Sequence, residues 1–555
     1  MELKPKSRRE VEGIVQDAIA SAVDFVESEI SQDRIKAQRY YDGEVDLGYE
    51  DGRSKVVATK VRDTVRAVKP SLMRIFLSTA KPVEFVPHGP EDVAMAEQAT
   101  EFMHHEFTRL NGYRVINDAF QDALVKKQGI VKAYWMTYPE AEIYTFTDLN
   151  DDELAYLTDD DEVSVLEQTT EMSISMDEMG MEIETPSHSI KISRQQEKGE
   201  LCIESVPPEE FFVNRDARNL KDAYLVAHRT EMRAGDLIAM GYDPEVVLDL
   251  DSFDSGSEMT EAEVHERRGY SLDTSDEDEQ DPSMKNVTVT EAYMRIDADG
   301  TGIPVLHKIT CGGTSYEMLD FEPCDELPFA KFEIDPEPHT FYGRSLAEIV
   351  MDDQDAATSI LRSILDNVAM TNNPRLAVIE GAANIDDVLN NEIGAIVRMR
   401  QAGAVQDLSV PFTAGQTLGA LTYLDGLVET KTGVSRASMG LDPDAMQSTT
   451  KAAVQATVQA AAGQVEVMVR NLADGMRDLF GIMLRLSNKN VDEEQMMRMN
   501  GTFVPVDPRV WDSSMDVTIN VGLGTGREEE KVMALSQALQ MQTMVYQTYG
   551  PMNGL

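Results

Sequence analysis

A few short stretches hold residue types that do chemistry when they are correctly spaced. His104 and His105 are metal-ligand types. Neighbouring helical residues point about 100° apart, and the H-x-x-x-H spacing of helical zinc sites is absent, so no metal is assigned to them. Asp297-Ala298-Asp299-Gly300-Thr301-Gly302 opens like a calcium loop. Its twelfth position must be a bidentate Glu and is Lys308. An Asp-Gly pair between two alternating apolar runs signals a hairpin turn, which is the expectation here. GLGTGR at 522 to 527 follows a strand-like run. The third glycine of a dinucleotide fingerprint would fall on Arg527, and no βαβ unit with a ribose-binding acid follows. The G-x-x-x-x-G-K-[ST] phosphate loop is absent. Asp352-Asp353 is an acidic pair on a helix, expected to lie solvated. There is no nucleophile elbow, HExxH, CxxC pair or kinase set. No catalytic residue, metal site or cofactor is assigned, so the chain reads as a structural part.

Composition agrees. The 555 residues carry 50 Lys plus Arg against 99 Asp plus Glu, a formal charge of −49. That balance excludes a protein that grips nucleic acid through its phosphates. It suits a soluble surface, or a channel wall that DNA passes without sticking. Cys202, Cys311 and Cys324 have no metal-like spacing and fit a reducing compartment. The N-terminus, MELKPKSRREVEG, is not a signal peptide, and no run of 18 apolar residues could span a membrane. The 31 methionines are read as fillers of cores and adaptable interfaces.

The positioning elements follow from periodicity. Residues 8 to 41 read as a helix ended by Asp42-Gly43. A second helix covers 56 to 76, with Pro70 expected to kink or split it. PVEFVP at 82 to 87 is a connector or edge strand. Residues 91 to 110 and 114 to 127 are helical, and 130 to 136 form a buried strand. Residues 138 to 200 turn acidic and β-rich, with 142 to 146 and 190 to 193 as strands of an inserted hairpin and Asp159-Asp160-Asp161 as a solvated turn. Residues 225 to 230 form a strand and 233 to 240 a short helix. Residues 252 to 286 are charged and weakly apolar, predicting disorder or a floppy loop. Strands follow at 287 to 296, 303 to 309 and 329 to 334. Residues 449 to 486 make the longest helix, with a narrow Ala460-Ala461-Ala462-Gly463 waist and with Gly463, Gly475 and Gly481 as bending points. A strand at 517 to 521 and a last amphipathic helix at 528 to 548 complete the chain.

The rest is arranged around the stretch from Gly343 to Gly433. Ser345 and Glu348 spell a capping box. Leu346, Ile349, Val350, Ala357, Ile360, Leu361, Ile364, Leu365 and Val368 then line one helical face until Pro374 stops the helix. About forty turn-rich residues follow. A second helix starts near Thr417, with Leu418, Leu421, Leu424, Leu427 and Val428 on one face, and ends at Gly433. On spacing alone this is an antiparallel helical hairpin with a loop-rich tip.

The wording of the stretch carries more. Pro338-His339, Gly343-Arg344-Ser345, Gln354, Arg362, Leu365-Asp366-Asn367, Pro374-Arg375, Gly394, Thr432-Gly433-Val434 and Met439-Gly440-Leu441-Asp442 come in an order that resembles the portal proteins, the head-to-tail connectors of tailed bacteriophages, especially the short-tailed type. The resemblance runs from about Val56 to about Gly526. It implies an α+β fold: a wing (1 to 340, with acidic insertions 138 to 200 and 252 to 286), stem helix 1 (341 to 372), a clip (373 to 412), stem helix 2 (413 to 433), a channel loop (434 to 448), a long helix (449 to 487), wing return strands (488 to 526) and a crown helix (527 to 555). It also implies a homo-oligomeric ring, commonly of twelve, at a capsid vertex, through which double-stranded DNA is packaged and ejected. Partners would be the large terminase, head-completion, adaptor and tail proteins, and the major capsid and scaffolding proteins; no membrane is involved. Ser435, Arg436, Ser438, Met439, Asp442, Asp444 and Gln447 are the expected channel-loop residues. Arg375, Arg398 and Arg400 are the expected docking residues of the clip. The protein would reside in the virion, and in the host cytoplasm during assembly. The alternatives are a ring-forming adaptor or baseplate part without DNA translocation, and an enzyme with a divergent site.

Overall fold

A computed structural model describes residues 4–48, 51–77, 82–87, 89, 92–158, 163–176, 182–251, 258–269, 281–390, 392–433, 451–491, 494–499, 502–519 and 536. The chain opens with a capping box, Ser7 and Glu10, that starts helix α1 (Arg8–Phe25). One π-helical turn (Val26–Ile30) joins it to α2 (Ser31–Asp42), which ends on Gly43 in the left-handed region, φ 75°. Next come α3 (Lys60–Leu77), β1 (Val83–Val86), α4 (Val93–Arg109) and α5 (Gly112–Val125). Pro70 sits inside α3 without splitting it.

A long-stranded arm follows: β2 (Gly129–Leu149), α6 (Asp151–Thr158), β3 (Val163–Met176) and β4 (Glu182–Val206). The short hairpin strands expected at 142 to 146 and 190 to 193 are parts of much longer ones. Then come β5 (Phe211–Val213), β6 (Leu225–Arg233), α7 (Ala234–Ala239), α8 (Pro244–Asp249), α9 (Glu258–Arg268), β7 (Asn286–Ile296), β8 (Val305–Gly312), β9 (Glu317–Pro323) and β10 (Phe329–Phe332). The stem and clip region holds α10 (Leu346–Asn372), β11 (Arg375–Val378), α11 (Ile385–Leu389), β12 (Val405–Leu408) and α12 (Ala414–Thr432). The long helix α13 (Lys451–Asn490) leads to β13 (Gln495–Met499), β14 (Thr502–Val506) and β15 (Asp516–Ile519).

The architecture is mixed α+β. One sheet has the order β10-β2-β4-β3 and another β5-β6-β7-β8-β9; three further strand pairs are β1-β15, β11-β12 and β13-β14. The β1-β15 pair joins Val83–Val86 to residues more than four hundred positions later, so segments far apart in sequence meet in one core. That core draws on α2 to α5, the base of α10 and the buried face of α13, with Phe76, Phe120, Phe332 and Phe480 fully enclosed. A second cluster packs α1 on the five-stranded sheet. Burial of such apolar surface is the main favourable term, at about 25 cal/mol per Å².

Two expectations are corrected here. Part of the supposed floppy stretch is α9, which docks through charge. Its Glu263 lies 3.8 Å from fully buried Arg34, its Arg267 lies 2.5 Å from buried Glu209, and its Glu266 lies 2.6 Å from Arg39. Lys126 also faces Glu209, at 3.8 Å. Low hydrophobicity therefore misled, because buried ion pairs do the docking. Gly475 is the other case. Instead of a bending point it is a contact: a Cβ there would stand 2.5 Å from the Lys331 carbonyl oxygen and 2.6 Å from the Phe332 ring. The missing side chain seats the long helix on β10. The Asp297 loop is a turn, as its pattern predicts: the carboxylate accepts from the Thr301 and Gly302 amides at 2.9 and 2.8 Å.

Candidate functional site

The hairpin of α10 and α12, with the clip at its tip, is the part of the chain least covered by its own body. Helix α10 starts on the capping box read from sequence: the Glu348 amide donates to the Ser345 hydroxyl at 3.1 Å, and the Ser345 amide donates to Glu348 at 2.9 Å. Glu348 also meets Lys127 at 2.7 Å, and Lys127 meets Asp33 at 2.9 Å, which ties the helix start to α2. The first half of α10 is core, with Leu346, Ala347, Val350 and Ala357 fully buried. Past Thr358 it emerges from the body, and Leu365 is exposed.

Several polar residues of the quoted pattern fasten this emergence. Gln354 is fully buried; its side-chain oxygen accepts from the Val61 amide at 2.9 Å and its nitrogen donates to the Tyr40 carbonyl at 3.0 Å. It pairs two backbone groups that would otherwise be buried and unsatisfied. Thr358 accepts from the Ala58 amide at 3.1 Å. Arg362 donates to three carbonyls of the preceding loop, Val56 at 2.9, Gly48 at 3.0 and Lys55 at 3.4 Å. Asp366 accepts from the Ser54 amide at 2.8 Å and faces Arg53 at 3.5 Å. Asn367 spans the two stem helices: it donates to the Pro411 carbonyl at 3.0 Å and accepts from the Thr413 amide at 3.0 Å. None of these contacts could be assigned from helical periodicity, because every partner lies 44 or more positions away.

The stem helices are further joined by Lys431, 2.7 Å from Asp353, and by the Lys60–Asp425 pair, which binds α12 to α3. This corrects the solvated reading of Asp352-Asp353. Asp353 is buried and paired, and only Asp352, about 100° around the helix, is exposed. Helix α12 ends as expected on Gly433, φ 71°. Most of its expected apolar face turns inward: Val428 is buried and Leu421, Leu424 and Leu427 are half-buried, whereas Leu418, nearer the clip end, is 53 % exposed.

The segment between α10 and α12, the expected clip, is small. β11 and β12 pair antiparallel from Arg375↔Leu408 to Val378↔Val405. Arg398 forks onto Asp387, at 2.7 and 2.9 Å, and this pairing holds the Asp387 carboxyl at about 2. Arg398 is therefore locally neutralised, while Arg375 and Arg400 are exposed with no carboxylate partner among the described residues. Apolar side chains face outward around them, among them Leu376, Ile379, Leu389, Ile393, Ile396 and Phe412. The channel-loop residues Ser435, Arg436, Ser438, Met439, Asp442, Asp444 and Gln447 lie outside the described residues, as do GLGTGR and nearly all of the expected crown helix.

His104 Nε2 donates to the Val83 carbonyl, 2.8 Å away, and the ring packs on Phe480. No group of three or more His, Cys, Asp or Glu side chains among the described residues could hold a metal. No described helix is long and apolar enough to cross a membrane. The ionic cluster of Arg34, Lys126, Glu209 and Glu263 is buried.

No curated protein matches the chain. The family described as "Phage SU10 portal protein" matches residues 11–555, essentially the whole chain, so this chain belongs to that family of phage portal proteins.

Proposed function

We propose that the chain is one subunit of a closed ring, twelve copies in the family's common form, seated at a capsid vertex where genomic double-stranded DNA enters during packaging and leaves on ejection. The family match from 11 to 555 carries this reading. The uncovered stem and clip support it, since monomers rarely leave so many apolar side chains facing water. A heterologous contact that closes on itself covers them in a ring. The −49 charge gives a wall that DNA slides along without sticking. In this arrangement residues 1 to 340 and 488 to 526 form the wing, 341 to 372 and 413 to 433 the stem, 373 to 412 the clip and 527 to 555 the crown.

In this reading residues 435 to 448, which join stem helix 2 to the long helix in sequence, face the channel. There Arg436 touches phosphate, and Asp442 and Asp444 repel it. Arg375 and Arg400 on the clip take the acidic faces of the terminase and later of the adaptor, with Arg398 holding the clip's own shape through Asp387. Capsid and scaffolding proteins surround the wing, and catalysis belongs to the motor. Light scattering at 0.1 M salt, where the Debye length of about 10 Å softens repulsion between acidic subunits, tests the ring. Twelve copies of 61.7 kDa give a particle of about 740 kDa with a central hole in negative-stain images. A monomer at every salt and concentration overturns the reading.

A further inference from the structure

The arm is where the described chain leaves most backbone hydrogen bonding open. On its outer side β2 is covered by β10 only from Gly129 to Lys132, with one further bond from the Ala133 amide to the Pro328 carbonyl at 2.8 Å. Beyond that point β2 is paired, among the described residues, to β4 alone. On the opposite side of the same sheet β3 is likewise paired only to β4. The arm therefore carries two long open edges, one on each side. Open edges are templates for another strand, and proteins that must stay apart blunt them with Lys, Pro or short length. The edge strand β3, VSVLEQTTEMSISM, has 14 residues and neither Lys nor Pro.

The two edges suit one another. β2 and β3 each run antiparallel to β4, so they are parallel to one another. The β3 edge of one copy can thus meet the β2 edge of a second copy by a rotation that keeps each arm's two faces in place. Contacts of that kind join unlike surfaces and close into rings.

Charge, in so acidic a chain, is the harder condition, and it is met. Glu142 of β2 lies opposite Arg194 of β4, and Glu167 of β3 lies opposite Lys191. Positions 191 and 194 point to opposite faces of the sheet, so the two glutamates do as well. On Glu142's face β3 presents Val163, Val165, Gln168 and Thr170; on Glu167's face β2 presents Thr137, Ala141, Ile143 and Thr145. At these positions no acid meets an acid in any register. Val165, 45 % exposed, and Tyr144, 37 % exposed, share a face and would cover each other across the junction.

We propose that β3 of one subunit adds in parallel to β2 of the next, so that the arms join into one continuous sheet around the ring. This rests on the ring reading above, and the test separates the two. Cysteines are placed in pairs, one at Ala141, Ile143 or Thr145 and one at Ser164, Glu167 or Thr169, all exposed. The background carries Cys202→Ser and Cys324→Ser, with Cys311 buried. Within one copy β2 and β3 are two strand spacings apart, about 9.6 Å, beyond the roughly 7 Å that a disulfide spans. Any bond is therefore between copies. After mild oxidation, a non-reducing gel should show a ladder reaching the full ring for the pairs in register, and dimers at most for single-cysteine variants. Rings of normal mass with no ladder from any of the nine pairs overturn the proposal, and leave the arm to another head protein. A ladder that stops at dimers overturns the head-to-tail geometry. Absence of rings in the parent protein removes the ring reading and this proposal together.

Discussion

Gly475 offers a test of how the long helix is seated. A methyl group there would stand 2.5 Å from the Lys331 carbonyl oxygen and 2.6 Å from Cδ1 of Phe332. The first contact is backbone, held in β10 by its pairing to β2, and Phe332 is fully buried, so neither can yield by turning a side chain. Gly475→Ala must push α13 off the strand. Overpacking of this kind costs about 1–3 kcal/mol. The same change gains about 1 kcal/mol of helix propensity, which partly hides the cost. Gly481→Ala, on the same helix, supplies the reference. Its methyl meets only Nη1 of Arg485, at 3.2 Å, the end of a flexible chain, so it should stabilise by up to about 1 kcal/mol. Both variants share the propensity gain, and the difference between them isolates the clash. The assay is urea unfolding followed by tryptophan fluorescence, since Trp135 and Trp511 both pack on this core. Gly475→Ala should unfold earlier than Gly481→Ala by the equivalent of about 1–3 kcal/mol. Equal midpoints would refute the seating of α13 on β10.

Further changes probe the stem and the ionisable groups. Gln354→Leu keeps the volume but leaves the Val61 amide and the Tyr40 carbonyl buried without partners; at about 1–3 kcal/mol for each orphaned group, the first unfolding transition should move down by several kcal/mol, and an unchanged midpoint would show that the brace is not made. Burial, with Glu209 and Asp118 nearby, pushes the Asp122 carboxyl up to about 7 against the opposing Lys126 and Arg267. Its folded value is raised, so its contribution is fully present below about pH 4 and is lost as pH rises through 7. Asp122→Asn should therefore flatten the fall in melting temperature between about pH 4 and 7 and leave the slope above pH 8 unchanged; a parallel shift at every pH would reject this. Glu291 works in the opposite sense: burial raises it, but Lys132 and Lys308 outweigh burial and hold it at about 2. Its stabilisation is lost as pH falls from the ordinary glutamate range toward 2, so Glu291→Gln should lower stability at pH 7 and narrow the gap to the parent protein at pH 3, as read by thermal melts.

What was legible in the sequence follows the range of the interaction that decides it. The α10 cap is written in Ser345 and Glu348, three positions apart, and the end of α12 in Gly433, so both were readable. The apolar faces of α1, α3 and α10 were readable for the same reason. Helix α9 was not, because its docking face is charged and its partners Arg34 and Glu209 come from distant elements. The lengths of β2 and β4 were not, because on a solvated arm their sequence alternates weakly, and Pro139 and Pro186 interrupt it without ending the strands. Gly475 looked like a hinge because its neighbour Lys331 is 144 positions away. In the clip, Arg398 and Arg400 looked equivalent, and only the fold sets Arg398 on Asp387 and leaves Arg400 open.

The stem divides its labour by residue type. Where it leaves the body, polar side chains do the fastening: Gln354, Thr358, Arg362, Asp366 and Asn367 each bond backbone groups of other segments. Hydrogen bonds of this kind are directional and fix an angle, whereas apolar packing tolerates repacking at similar volume. Further out, in the clip, apolar side chains face solvent and few fasteners remain. That order suits a part that must project in one direction and find its packing against other subunits. It also explains why the ordered set that reveals the family is polar at the base of the stem. Those residues fix, through directional bonds to other segments, the angle at which α10 leaves the body.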